Sequence, residues 1–381
     1  MFRFRMLILV VLVSCGDITV NERTPLTPGE SLSSGDIAVV LGADWQGTTG
    51  SISMIPLDSP SSVVANLEIT HSDAVVRSFG GLIYVVNRKG ADNIQVIDPI
   101  DFSTISQIST GLGTNPQDLV AVSKTKAYVT LYEPEENQST DLSVDDLVIL
   151  NPETGLIEKT IDLTLYTGDD GERFARASSL LLMGSKLYVA VQDLPRDLAL
   201  QPDQPGKLVK VDTTTDEVEG ALVLDCWDPF DITSSDRLGK IYIACADFFD
   251  LNSPYGGVEV VDLETFQSEG ILLSDESFGG WIGGIEVGDH YGFVIVGLSD
   301  YSENRLVRFS LDDPKNLKTL YESSSYLPEV AIDPRGEVLI CDRDPDKNGI
   351  VFIDPESAEV IAGPISVGFP PASVTFVERK R

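Results

Sequence analysis

A short apolar segment recurs seven times along this 381-residue chain, at intervals of roughly 50 residues. The seven segments are residues 38–41, 84–87, 128–131, 188–191, 242–245, 293–296 and 339–342. A second strand-like run follows each segment and usually ends in Asp or Asn. A unit of several short strands cannot bury both of its faces alone, so it must stack on its neighbours. The repeat therefore predicts an all-β fold, a seven-bladed β-propeller with four antiparallel strands per blade.

Turn residues divide the second repeat into four strands. We predict them at 73–79, 82–87, 93–97 and 104–109, with Gly80 and Gly81 forming the first turn and Asp98-Pro99 ending the third strand. The first repeat has no inner strand before residue 37, whereas 372–377 is an inner strand with nothing after it. Pairing these two segments would close the ring and remove the open sheet edges.

These repeats resemble the YVTN family of bacterial β-propeller proteins. The resemblance rests on the segments YVVN, YVTL and YVAV, on the run VID at 96–98, and on the Thr-bearing turns that follow such runs. It covers roughly residues 37–378, although the first, sixth and seventh repeats lack the Tyr. The resemblance implies the fold and, because such proteins have unrelated roles, says little about activity.

The amino terminus has the features of a bacterial lipoprotein signal. Arg3 and Arg5 precede the apolar run 6–13, which is too short to span a bilayer, and LVSC at 12–15 resembles a lipobox. We therefore predict a signal peptide at 1–14, a lipidated Cys15 with a flexible polar tether at 15–35, and the propeller at 36–381. Gly16, in place of Asp, favours the outer membrane, on its periplasmic or surface face. An ordinary secretory signal is the alternative.

The formal net charge is −33, from 60 acidic and 27 basic residues. Such a surface repels phosphate backbones, which excludes nucleic acid as a partner. The charge is explained by solubility in an exposed compartment or by binding of cations or basic partners. Cys226 and Cys245 fall in one repeat and could form a disulfide, and no CxxC spacing indicates a haem or zinc site.

Acidic residues recur where the inner strands begin. Asp73, Asp118, Asp231 and Glu329 take this position in four repeats, and Ser179, Gly284 and Ser373 take it in the others. Around a channel mouth these carboxylates would take up protons or hold Ca²⁺. The alternative is a hydrated ring of residues that start strands.

A second candidate metal site is the loop after the seventh segment. Asp342, Asp344, Asp346 and Asn348 offer oxygen ligands at alternate positions before a Gly, as in calcium loops. Pro345 interrupts the pattern, and Asp and Asn are also common turn formers.

Aromatic residues are frequent in the loops predicted to surround the mouth. The candidates for a ligand platform are Trp227, Phe230, Phe278, Trp281, Tyr326 and Phe369. Packing between blades is the alternative role of these rings.

Catalytic groups are few. His71 and His290 are the two histidines and are predicted on opposite faces, and no nucleophile elbow or phosphate loop occurs. We therefore predict a lipid-anchored, non-enzymatic binding or scaffold module of the envelope, with a protein or carbohydrate partner. The alternative is a metal-dependent, lactonase-like hydrolase or lyase at the acidic mouth.

Overall fold

Seven four-stranded antiparallel sheets and one two-stranded sheet make up the described part of the chain. The structure is a computed structural model, and it describes residues 35–168, 173–196, 202–247, 253–298 and 303–379. In chain order the strands are β1 (Gly35–Ala43), β2 (Gly50–Pro56), β3 (Val64–Thr70), β4 (Ala74–Phe79), β5 (Leu82–Asn87), β6 (Asn93–Ile97), β7 (Thr104–Ser109), β8 (Pro116–Ser123), β9 (Lys126–Leu131), β10 (Leu147–Asn151), β11 (Leu156–Ile161), β12 (Arg173–Phe174), β13 (Ala177–Met183), β14 (Lys186–Val191), β15 (Leu194–Pro195), β16 (Lys207–Asp212), β17 (Glu217–Val223), β18 (Pro229–Ser235), β19 (Lys240–Cys245), β20 (Gly257–Asp262), β21 (Gln267–Ser274), β22 (Trp281–Val287), β23 (Tyr291–Gly297), β24 (Asn304–Ser310), β25 (Leu317–Ser323), β26 (Val330–Ile332), β27 (Val338–Asp342), β28 (Gly349–Ile353), β29 (Val360–Ile365) and β30 (Pro371–Arg379).

Each four-stranded sheet is one blade, and its strands run outward from the centre in sequence order, except that the last strand, β30, is innermost in the first blade. The two-stranded sheet pairs β12 with β15. From inside to outside the blades are β30-β1-β2-β3, β4-β5-β6-β7, β8-β9-β10-β11, β13-β14-β16-β17, β18-β19-β20-β21, β22-β23-β24-β25 and β26-β27-β28-β29. One four-residue helix, α1 (Asp275–Phe278), joins the fifth and sixth blades. The prediction of a seven-bladed all-β propeller is confirmed.

Burial explains why the recurring segments are apolar. The second and third strands of each blade are covered by neighbouring blades on both faces, so β5 and β28 are almost wholly buried. The outermost strands alternate instead, as in β17, whose residues are exposed and half-buried in turn. A continuous apolar run therefore marks a strand covered on both sides, and alternation marks the rim.

The Asp or Asn at the end of the third strand has a local structural role. Asp212 Oδ1 accepts a hydrogen bond from the Thr214 N–H at 2.7 Å, and Asp354 Oδ1 accepts one from the Ser357 N–H at 2.7 Å. These side chains close the turn to the outer strand, as Asx turns do.

Strand β30 closes the ring. It pairs antiparallel with β1 from Gly35 opposite Arg379 to Gly42 opposite Pro371. The predicted pairing of the C-terminal strand with the first blade is therefore confirmed, and the first blade is assembled from both ends of the propeller.

Two further features bear on the sequence predictions. Cys226 and Cys245 form a disulfide, and Cys341 is a buried free thiol. Within the described ranges, no helix has the length and apolar character needed to cross a membrane.

Candidate functional site: the central channel

A channel of about 770 Å³ runs between the inner strands. Its wall includes most of the predicted ring, together with Arg77, Arg88, Tyr132 and Glu286. The inner strands are short and pack against each other through their side chains. The residues that begin these strands therefore face both the channel and the next blade.

Asp118, in β8, connects three parts of this wall. Its Oδ2 atom accepts the N–H of Leu180, in the inner strand of the next blade, at 2.9 Å. Its Oδ1 atom accepts Arg77 Nε at 2.8 Å and the N–H of Leu119 at 2.9 Å. The side chain is buried, and its carboxylate accepts bonds from all three of these donors.

The same contact recurs around the ring. Asp231 Oδ2 accepts the Ile285 N–H at 2.9 Å, and Glu329 Oε1 accepts the Val374 N–H at 3.3 Å. Ser373 Oγ accepts the Val76 N–H at 3.1 Å. In each case a side chain at the start of one inner strand bonds to the backbone of the next inner strand. The recurrence of polar residues at this position therefore has a structural cause, since it joins neighbouring blades.

Arg77 provides the positive charge among these carboxylates. Its Nη1 atom lies 3.9 Å from Glu329 Oε1, in addition to the bond to Asp118. Burial by itself would lower the pKa of Arg77, but Asp118, Glu329 and Asp231 outweigh it and raise the pKa. The guanidinium therefore stays charged and neutralises part of the ring.

Asp73 is placed differently from the other three acids. In the other blades the bonded N–H belongs to the residue directly after the ring position, as Leu180 follows Ser179. Ser373 bonds to the N–H of Val76, so Val75 takes the ring position in the second blade. Asp73 lies two residues earlier, with a side chain that is 54% exposed and 3.8 Å from Arg88 Nη1. It stands at the rim of the channel because Val75, opposite Val86 of β5, takes the ring position in this blade.

Glu286, which the sequence analysis missed, faces the channel beside the ring. Burial raises its pKa to about 7, and the charges of Asp231 and Glu329 add to the effect. Its Oε1 atom accepts Thr233 Oγ1 at 3.1 Å. Arg77 and Glu286 take the same position in their repeats, opposite Tyr84 and Phe293, but they carry opposite charges, and Arg88 follows a recurring segment, so no recurring residue type identified them.

The six candidate aromatic residues do not form one platform. Phe230 and Tyr326 line the channel, and Tyr326 is 57% exposed. Trp227 stacks on Tyr255 with ring centroids 4.2 Å apart, and Phe278 is buried in the core between the fifth and sixth blades. Trp281 begins β22 opposite Gly297, and Phe369 packs against Gly42. Two of the six are thus placed to meet a ligand in the channel.

Internal bonds occupy most of the carboxylate oxygens of the 342–348 loop. Asp342 accepts Tyr321 Oη at 2.7 Å, Ser323 Oγ at 2.9 Å and the Asp344 N–H at 2.9 Å. Asp344 Oδ1 accepts the Asp346 N–H at 2.9 Å, and Asn348 directly precedes β28. This is the bonding of a turn between two strands.

No group of three or more His, Cys, Asp or Glu side chains in the described ranges is arranged to hold a metal ion. Calcium binding at the ring or at the 342–348 loop therefore stays a prediction. The carboxylate contacts there are accounted for by backbone N–H groups, hydroxyls and Arg77. Cys15 and its tether to residue 34 lie outside the described residues.

Comparison with known proteins supports the fold. No family model matches the chain, and no curated protein matches it. Among solved structures, it is similar to a candidate 6-phosphogluconolactonase from Bacteroides fragilis, with 12% identity, 91% of this chain and 99% of that chain covered, and a TM-score of 0.64. A protein from Lactobacillus plantarum aligns with 13% identity and a TM-score of 0.60, and the alignment covers 91% of this chain and 100% of that chain. A protein of unknown function from Desulfotomaculum acetoxidans gives 10% identity, 91% and 100% coverage and a TM-score of 0.58. At these identities the likeness shows the propeller fold alone.

Proposed function

We propose that this protein is a lipid-anchored binding module that takes its ligand at the mouth of the central channel. The observation that carries the proposal is that the ring and the mouth of the channel make different contacts. The ring carboxylates are engaged by backbone N–H groups and by Arg77, while the mouth above them presents aromatic and polar side chains.

The chemistry of the mouth suits a ligand rich in hydroxyl groups. Tyr326 and Phe230 offer ring surfaces, and Asp73, Arg88 and Gln117 offer donors and acceptors around them. Few polar groups that fix orientation, set beside aromatic surface, are typical of small-ligand sites. A carbohydrate fits this combination, and a peptide is the alternative outcome of the test below.

The test is a calorimetric screen of soluble oligosaccharides and short peptides against matched variants. Tyr326→Ala removes an exposed ring that lines the channel, whereas Trp45→Ala removes a similarly exposed ring that does not line it. The Trp45 loop contacts the mouth through Gly47, whose carbonyl accepts Ser72 Oγ at 2.7 Å, so both variants report on one face. We expect affinity to fall about fivefold with Tyr326→Ala, because one stacked ring contributes about 1 kcal/mol, and to hold with Trp45→Ala. Equal affinities in the two variants would refute binding in the channel.

A hydrolase is the second candidate, and Glu286 is the observation that favours it. A buried carboxyl with a pKa near 7 is suited to general acid or base chemistry. The similarity to the Bacteroides fragilis protein suggests lactones as the first substrates to try. Hydrolysis that is lost in Glu286→Gln but kept in Asp73→Asn would support this candidate over simple binding.

Membrane attachment in this proposal depends on Cys15. Acyl chains contribute about 0.8 kcal/mol per buried CH₂, so a lipidated Cys15 would hold the propeller at a membrane surface. Metabolic labelling with a fatty acid in a bacterial host should mark the wild type and not Cys15→Ser, and fractionation should place the wild type in the outer membrane. Labelling that persists in Cys15→Ser would contradict this attachment site.

A further inference from the structure

Three buried carboxylates meet on the channel-mouth face, outside the channel ring. Asp228 precedes β18, Asp247 follows β19, and Asp275 begins α1. Their exposed fractions are 5%, 6% and 2%. We call these three residues the Asp228 cluster.

Backbone contacts bring the three segments together. The Asp228 carbonyl accepts the Ala246 N–H at 3.3 Å, and the Asp275 N–H donates to the Gly256 carbonyl at 3.2 Å. A Cβ on Gly256 would lie 2.0 Å from Asp275 Oδ2 and 3.4 Å from the Asp247 backbone nitrogen. The Asp275 carboxylate therefore occupies the space that a side chain at Gly256 would fill, beside the Asp247 backbone, and the Asp247 charge acts on both Asp228 and Asp275.

The oxygens of the cluster lack the partners that ring carboxylates have. Asp228 Oδ1 and both Asp275 oxygens are buried, and none accepts a hydrogen bond of normal geometry from the described residues. Burial raises the pKa of Asp228 and of Asp275 to about 7, and Asp247 raises both further. The Ile282 N–H is near enough to Asp275 to oppose this shift in part.

No Lys, Arg or His of the described ranges acts on Asp228 or Asp275 as a counter-charge. A buried carboxylate without a partner is costly, so such a group is stable when it is protonated or when a cation is bound. The three side chains are not arranged to hold a metal ion. An ammonium group has three donors and one positive charge, and its hydrogen bonds are longer than Ca²⁺–oxygen bonds, so it demands a less exact arrangement of carboxylates than a metal does.

We propose that the Asp228 cluster binds a primary ammonium group, supplied by a small amine or by an amine-bearing ligand. The stacked Trp227 and Tyr255 rings border the site. Trp227 adjoins Asp228 in sequence, and its backbone N–H donates to the Tyr255 carbonyl at 3.0 Å. Tyr255 is 38% exposed, so the cluster lies beside the protein surface. This site is separate from the one proposed in the channel.

The test is calorimetric titration of the full-length protein in detergent with putrescine, and separately with CaCl₂. About 0.15 M NaCl shortens the Debye length to about 8 Å and suppresses diffuse binding to the acidic surface. A pH of about 8 keeps carboxyls of pKa near 7 ionised. We expect one putrescine per protein and no comparable Ca²⁺ binding.

Three variants locate the site. Asp275→Asn and Asp228→Asn each remove one charge from the cluster and should weaken putrescine binding about tenfold or more. Asp342→Asn removes an equally buried carboxylate whose oxygens are hydrogen-bonded, and it should bind putrescine as the wild type does. Both cluster variants should fold, since amide replaces an unpartnered acid, and circular dichroism checks this.

The proposal is overturned if putrescine does not bind, if Ca²⁺ binds in its place, or if binding survives both cluster variants. Equal loss in Asp342→Asn would also overturn it, since binding would then follow total charge. Tyr326→Ala should leave putrescine binding intact, so failure here is distinguishable from failure of the channel proposal.

Discussion

Replacement of Asp118 by Ala tests whether the acidic ring joins the blades or serves as a cluster of free charges. In the structure, Asp118 bonds to the Leu180 N–H of the next inner strand and to Arg77. If the ring were a set of repelling carboxylates, removing one would stabilise the protein. If the carboxylate joins the two inner strands, its removal leaves a buried N–H without an acceptor.

The expected loss can be worked out from these contacts. A buried N–H without a partner costs about 1–3 kcal/mol, and the ion pair with the partly exposed Arg77 adds at most about 1 kcal/mol. The free energy of unfolding should therefore fall by about 1–4 kcal/mol. With an unfolding entropy of ~2.1 cal/mol/K per residue, a propeller of this size should lose about 1–6 °C in Tm.

Differential scanning calorimetry of Asp118→Ala beside Asp73→Ala provides the measurement. Asp73 carries the same charge at the same mouth, but it is exposed and makes no contact with a neighbouring inner strand. Its replacement should change stability by less than about 0.5 kcal/mol. Equal shifts in the two variants, or a rise in Tm with Asp118→Ala, would refute the structural role of the ring.

Three further predictions follow from the closure, the disulfide and the Asp228 cluster. Deletion of β30 (Pro371–Arg379) should expose the edge of β1 and cause aggregation, seen by size-exclusion chromatography, and a monomer that unfolds cooperatively would contradict the closure. Reduction of Cys226–Cys245 should lower stability by about 2–4 kcal/mol in denaturant titrations, and the double Cys→Ala variant should not respond to reductant. Because burial raises the pKa of Asp228 and Asp275 to about 7, the native state holds protons that the unfolded chain has released between about pH 4 and pH 7. Stability should therefore fall as pH rises through this window, and Asp275→Asn should reduce the slope by up to ~1.4 kcal/mol per pH unit, whereas an unchanged slope would contradict the assignment.

Much of the fold could be predicted because a blade is a local unit. In the second blade, the predicted strands 82–87, 93–97 and 104–109 coincide with β5, β6 and β7. Their boundaries depend on turn residues a few positions away, such as Asp98, whose Oδ1 accepts the Ile100 N–H at 2.8 Å. The closure could also be predicted, because an inner strand was missing at one end of the repeat and left over at the other.

The candidate site could be predicted only in part. The recurrence of Asp118, Asp231 and Glu329 indicated that they belong to one ring, and they do line one channel. Their partners could not be predicted, because Leu180, Ile285 and Val374 lie in other blades. The displacement of Asp73 from the ring follows from the strand register, because Val75, two residues later, lies opposite Val86 of β5 and takes the ring position.

The sequence by itself determined the number of blades, the strands within them and the way the ring closes, because hydrophobic periodicity and turn chemistry act between residues close in the chain. Only the tertiary structure decided what the acidic residues do. Whether a carboxylate is neutralised depends on which groups lie within a few ångströms, and the ring packs them from blades far apart in sequence. Thus Asp118 bonds to Arg77, whereas Asp275, equally buried, is left with oxygens that accept no hydrogen bond of normal geometry from the described residues.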